Sequence, residues 1–162
     1  MPEARGRSVN TTCFVDADHA GCQVTRRSHT GIIIFVNKAP VLYYSKRQNT
    51  VESSTFGSEF IAMKTAVEMI EGLRYKLRMM GVEVDGPTSV YCDNNSVVTS
   101  STRTESVLKK KHCAIAYHRT REAVAASIVR ICHEMGETNL ADIFTKCLPG
   151  PRLRELIKYI LW

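Results

Sequence analysis

Long apolar runs are missing from this 162-residue sequence. None approaches the ~18 residues a helix needs to cross a bilayer, which excludes a protein anchored by a spanning helix. No two of the six cysteines (Cys13, Cys22, Cys92, Cys113, Cys132 and Cys147) form a C-x-x-C pair. Most lie in apolar runs, where cysteine behaves as a small buried hydrophobe. A reducing compartment without a disulfide framework is therefore expected. Cys13, His19, Cys22 and His29 are close in sequence, but their spacing matches no common zinc module, so zinc is not expected. Internal repeats, low-complexity tracts and linkers are also absent. Residues 1–10 are polar, with no apolar core of the kind a secretory signal carries.

Negative charge is in short supply. Asp and Glu total 16 against 22 Lys and Arg, a formal net charge of +6 and an isoelectric point near 9.1. Two readings are open, a solvated basic surface or a polyanionic partner such as nucleic acid or anionic lipid. The basic clusters are Arg26-Arg27, Lys46-Arg47, Lys109-Lys110-Lys111 with His112, and Arg119 with Arg121. They alternate with structured segments, as on a folded surface that tracks a phosphate backbone. At 44% hydrophobic and 23% charged, the composition is that of one globular domain. A chain of this length buries roughly two thirds of its unfolded surface and needs no staples.

Residues 11–16 read as a strand ending in a carboxylate, and 17–29 as a polar loop. Residues 31–36 form a β-branched strand, 37–40 a turn and 41–45 a third strand, together a hairpin. From 58 to 80 the period becomes helical, with Ala62, Ala66, Met69, Leu73, Leu77 and Met80 on one stripe and Gly81 as the stop. A strand over 89–92 again ends in a carboxylate. A short helix begins at Asn94, a longer one covers 110–126, and a strand covers 127–133. Thr138 is placed to cap a helix through Lys146, and Leu153, Leu156, Ile157 and Ile160 mark a last amphipathic helix. The order predicts an α/β domain with a five-stranded mixed sheet flanked by helices.

Four carboxylates stand out. Asp16 and Asp93 end apolar strands, where ligands gather in open sheets. Glu59 opens the apolar stripe of the long helix, where a carboxylate is costly unless paired or bound to a metal. Asp142 sits among Leu140 and Ile143. Each has an ordinary alternative: a turn-forming Asp, a helix N-terminal Asp, or a Glu59 that faces solvent if the helix phase slips. As a set in this topology they point to a site.

The residues Phe14-Val15-Asp16-Ala17-Asp18-x-Ala20 and Arg26-Arg27-Ser28-x-x-Gly31 resemble the first strand and loop of the RNase H domain of copia-type LTR retrotransposon polyproteins. Ser53-Ser54-Thr55 with Ser58-Glu59-Phe60-Ile61-Ala62 is similar to that family's first helix. Tyr91-Cys92-Asp93-Asn94-Asn95-Ser96 resembles its fourth strand. Lys111-His112, Tyr117-His118 and Arg121-Glu122 resemble a later helix, and Leu140-Ala141-Asp142-Ile143-x-Thr145-Lys146 with Leu148-Pro149 its closing motif. Five motifs in order cover residues 12–150. One departure is Phe56, where many members carry Glu.

The resemblance implies an RNase H-like fold over residues 11–150, preceded by a flexible segment (1–10) and followed by an amphipathic helix (151–162); with the element order, it places the 31–45 hairpin at one edge of the sheet and the strand of Asp16 beside that of Asp93. It implies four acidic metal ligands, Asp16, Glu59, Asp93 and Asp142, with Asp18 the alternative to Asp16. It also suggests His133 as the loop histidine of cellular relatives, or else a strand-end residue. Hard oxygen ligands select two Mg²⁺ or Mn²⁺ ions, which clamp an in-line phosphodiester displacement. The implied reaction is endonucleolytic cleavage of the RNA strand of RNA–DNA hybrids during reverse transcription. Arg26, Arg27, Lys46, Arg47, Lys110 and Lys111 hold the backbones. Asn94, Asn95 and Ser96 donate to a 2′-hydroxyl or phosphate, or simply cap a helix. No Tyr-x-Asp-Asp polymerase motif is present, so the implied reverse transcriptase partner lies outside this sequence. The implied location is cytoplasmic, in the element's virus-like particle, or nuclear. The rival reading is a catalytically inactive hybrid-binding or structural module that packs on a reverse transcriptase.

Overall fold

The computed structural model of the chain describes residues 6–103, 105 and 113–161. Five strands form one sheet: β1 (Thr11–Asp18), β2 (His29–Val36), β3 (Ala39–Arg47), β4 (Thr88–Cys92) and β5 (Val129–His133). Their spatial order is β3-β2-β1-β4-β5. The first three form an antiparallel meander, whereas β1, β4 and β5 run parallel. As expected, the hairpin lies at one edge and the strands leading to Asp16 and Asp93 are neighbours.

Both faces of the sheet are covered, which is why β2 reads as an unbroken apolar run. Ile32 and Ile34 face the main core under α1 (Thr55–Met79), α2 (Asn95–Thr102) and α3 (Ala114–Ala125). Ile33 and Phe35 face a second core with Leu140 and with Leu156 of α4 (Gly150–Ile157). The same alternation in β1 sends Cys13, Val15 and Ala17 to the main core. Phe14, on the opposite face, stacks on Tyr91 at 5.1 Å.

Helix α1 starts at the Ser54 cap, whose side chain accepts from the Gly57 N–H at 3.2 Å. It ends before Gly81, which takes φ +75°. Its buried face runs through Phe60, Met63, Val67 and Ile70. Ala62, Ala66 and Leu77 of the stripe expected from sequence are buried as expected, but the stripe is rotated at its other positions: Met69 and Leu73 flank the core and Met80 is exposed. A second correction concerns residues 138–146. They form a short 3-10 helix, Leu140–Phe144, capped by Asn139 and not by Thr138. Asn139 is fully buried; its Nδ2 donates to the Val15 carbonyl at 3.0 Å and its Oδ1 accepts from the Ala141 N–H at 3.1 Å. Spanning β1 and the 3-10 segment with both ends of one amide replaces the regular helix. Val9, counted with the flexible leading segment, is held by Glu83 and Asp85 through backbone hydrogen bonds of 2.8 and 2.9 Å.

Candidate active site

The carboxyl ends of β1 and β4 are adjacent because those strands are parallel neighbours. The second turn of α1 brings Glu59 to them from one face of the sheet, and the 3-10 helix brings Asp142 from the other. Asp16, Glu59 and Asp142 are buried, at 1%, 3% and 4% exposure, and Asp93 is half-buried.

The close approach of the 3-10 helix depends on Gly31, the register partner of Asp16. A Cβ there would lie 2.7 Å from the Ala141 carbonyl oxygen and 2.6 Å from Thr145 Cγ2. With no side chain at 31, Thr145 reaches across and donates its hydroxyl to Asp16 Oδ2. Lys146 Nζ lies 3.2 Å from that same oxygen and 2.7 Å from Asp142 Oδ1. Arg152 Nη2 lies 3.0 Å from Asp142 Oδ2 and donates to the Gly136 carbonyl at 2.7 Å. Thr145 and Lys146 stood in the quoted closing motif, but no role was read for them; Arg152 and Gly136 were not singled out. Lys146 pairs with Asp142 at the local i, i+4 spacing, whereas the contacts to Asp16 and those of Arg152 are tertiary and no sequence spacing announces them.

Glu59 differs. Its Oε2 is buried with no hydrogen-bond partner. Burial first, then the charges of Asp16 and Asp93, push its carboxyl up to about 9. Asp16 is also raised, by burial above all, although Thr145 and Lys146 act against the shift. One ligand atom each from Glu59, Cys92 and Asp93 lies within 4.8 Å of the others. Burial holds the Cys92 thiol well above the ordinary thiol range, so it remains protonated, leaving the carboxylates as hard donors. Of the His and Cys residues near the N-terminus, Cys13 is a core residue and His29 Nε2 hydrogen-bonds Ser45 Oγ at 2.9 Å. All six cysteines are free thiols.

Of the two candidates in the Asp-x-Asp motif, Asp16 joins the cluster. Asp18 folds back toward the following loop, where a Cβ on Gly21 would meet its carboxylate. His133 is exposed at the end of β5, in register with Cys92. Its ring makes no hydrogen bond to the four carboxylates among the described residues. Asn94 caps α2, accepting at Oδ1 from the Ser96 and Val97 N–H groups at 3.0 and 3.3 Å. Asn95 and Ser96 are exposed in the first turn beside Asp93. Arg26, Arg27, Lys46 and Arg47 are exposed. The register Asp18–His29–Arg47 places Lys46 and Arg47 at the sheet end that carries Asp16, and Arg26 and Arg27 on the loop joining β1 to β2 there. Lys110 and Lys111 lie outside the described residues.

A fold with this strand order and acidic residues at the ends of its parallel strands matches solved ribonuclease H structures. LC11-RNase H1 in complex with an RNA/DNA hybrid superposes with a TM-score of 0.64 at 17% identity, over 84% of this chain and 94% of that one. The N-terminal RNase H domain of Rv2228c from Mycobacterium tuberculosis gives 0.60 at 14% identity, over 93% and 98%. In sequence, the retrovirus-related Pol polyprotein from transposon TNT 1-94 of Nicotiana tabacum is 32% identical over 149 residues, 91% of this chain. That from transposon RE1 of Arabidopsis thaliana is 27% identical over 144 residues, 89% of this chain. The chain is an RNase H-fold domain homologous to copia-type Pol polyproteins. It spans 10% of the length of the RE1 relative and 11% of TNT 1-94. No protein-family model matches it. Among the solved structures is also the foamy viral protease-reverse transcriptase in complex with RNA/DNA hybrid (TM-score 0.56, 14% identity), of which the match covers 21%.

Proposed function

We propose that this domain is a ribonuclease H that cleaves the RNA strand of RNA–DNA hybrids endonucleolytically, with Mg²⁺ or Mn²⁺, during reverse transcription of a retrotransposon. The observation that carries the reading is the buried, unpartnered Oε2 of Glu59, aimed into a cluster with Asp16, Asp93 and Asp142. An orphaned carboxylate oxygen among like charges is costly in the fold and useful to a cation. All-carboxylate donors fit hard divalent ions, and Asp16, Glu59, Asp93 and Asp142 would hold two of them. Bound there, such ions lower the pKa of an attacking water and stabilise the leaving 3′ oxygen.

The chain's own groups do the rest. Thr145 fixes the rotamer of Asp16, and Arg152 ties Asp142 to the loop carrying Gly136. Arg26, Arg27, Lys46 and Arg47 grip phosphates without reading sequence. Asn95 and Ser96, exposed polar residues next to Asp93 in sequence, would contact a 2′-hydroxyl or phosphate of the strand to be cut. A reverse transcriptase segment in the same polyprotein is the expected partner, and the element's cytoplasmic particle or the nucleus the expected place. Incubation of the purified chain with end-labelled hybrid and with duplex RNA, in Mg²⁺ and in EDTA, tests the reading. Internal cuts in the hybrid's RNA alone, and only with Mg²⁺, support it. An uncut hybrid contradicts it.

A further inference from the structure

The four carboxylates divide into two unlike halves. In one half, both oxygens of Asp142 and one of Asp16 are already engaged by protein cations. Asp142 presents Oδ1 to Lys146 at 2.7 Å and Oδ2 to Arg152 at 3.0 Å. Asp16 Oδ2 receives both Lys146, at 3.2 Å, and the Thr145 hydroxyl. In the other half Glu59 Oε2 has no partner, and Asp93 makes no hydrogen bond or ion pair with the described residues. The two cations of the filled half are not alike. Arg152 also holds the Gly136 carbonyl, so it is a strut between the 3-10 helix and the preceding loop. Among the described residues, the Lys146 ammonium holds only the two carboxylates. Its side chain is 39% exposed above an Asp16 and an Asp142 that are 2% and 6% exposed. A lysine is a compact charge on a flexible four-carbon stem, so solvent is a rotamer change away, whereas the buried aspartates stay where they are.

We propose that Lys146 is a tethered cation that fills the Asp16–Asp142 half of the site, so that divalent ions bind stepwise. The first enters at Glu59 and Asp93, and the second binds only as Lys146 swings out to solvent. This rests on the reading of the carboxylates as a divalent-cation site and adds how that site fills. Lys146 lies four residues from Asp142, so it competes as an intramolecular ligand whose effective concentration does not depend on protein concentration. It also keeps two buried aspartates from facing each other uncompensated before metal arrives. The same residue therefore stabilises the metal-free fold and weakens the second binding step.

The test is titration of the nucleic-acid-free chain with Mn²⁺, counting free ion by electron paramagnetic resonance, for the parent, Lys146→Met and Lys146→Arg. Melting points in EDTA confirm that each variant folds. The parent is expected to show one tighter and one weaker step. In Lys146→Met the weaker step should tighten about tenfold, the scale of a hydrogen bond to a charged group, with the tighter step unchanged. Lys146→Arg keeps the charge and should keep the second step weak, which guards against a Met variant that fails to fold. A second step of equal affinity in all three proteins overturns the role of Lys146 and leaves the cation site standing. Absence of Mn²⁺ binding to any of them at millimolar concentration overturns both.

Discussion

A carboxyl oxygen with no partner inside a fold has to be accounted for, and Oε2 of Glu59 is that atom. Without metal its folded-state value of about 9 lies far above the ~4.3 of an unfolded chain. Between those values the folded state holds a proton the unfolded state has lost. The Glu59 contribution is therefore favourable below about pH 4 and is lost as pH rises toward 9. Glu59→Gln removes the ionisation. In EDTA its melting point should match the parent's near pH 5 and exceed it increasingly up to pH 8.5. In millimolar Mg²⁺ at pH 8 the order should reverse, because only the parent gains full cation binding. Melting curves of both proteins over pH check this; a Glu59→Gln variant that melts lower in EDTA at pH 8 would show Glu59 to be a structural residue. The four acidic positions were legible in the sequence because carboxylates at strand ends and on an apolar helix face break their local pattern. Lys146 and Arg152 break no pattern, and only the fold brings Lys146 to Asp16 and Arg152 to Asp142.

At the scale of elements, the strands were legible because the apolar runs are short and punctuated by turns, and the edge hairpin and the pairing of the first strand with the fourth came from element order together with the family resemblance. The phase of α1 was not. Its residues are apolar on more than one face, and Phe60, Met63, Val67 and Ile70 give a stripe as regular as the one through Ala62, Met69 and Leu73. Nor was the 3-10 segment, whose geometry is set by Asn139 bridging to Val15 and by the bare backbone at Gly31. Gly31→Ala tests that contact. Its methyl would press on a backbone carbonyl, so the 3-10 helix must lift. The expected cost is about 1–3 kcal/mol, the range for overpacking, together with weakened cation binding as Asp142 withdraws from Asp16. Chemical denaturation and Mn²⁺ titration of the variant measure both; unchanged stability and affinity would mean that the segment moves without consequence.

Over the whole molecule, one end of the sheet carries the acidic cluster, and around it lie Arg26, Arg27, Lys46 and Arg47. The net charge suggested a polyanion, but only the register of β1, β2 and β3 showed that these residues share an end with Asp16. If the four contact phosphates, the logarithm of hybrid affinity should fall against that of salt with a slope of about −3 to −4. Removing one of them, as in Arg27→Ala, should flatten the slope by about 1. Fluorescence anisotropy across a salt series reads both numbers, and a nearly flat dependence would leave the basic residues as ordinary solvated surface. The central claim is that this end of the sheet cuts RNA through its carboxylates. It is tested most directly by the single-turnover cleavage rate of a labelled RNA–DNA hybrid in Mg²⁺ for the parent and for Asp93→Asn, with enzyme in saturating excess so that the rate does not depend on hybrid affinity. The account predicts RNA cut by the parent and a rate for Asp93→Asn lower by more than about a hundredfold, beyond the loss typical of residues one shell removed from a metal. A variant within tenfold of the parent would contradict it.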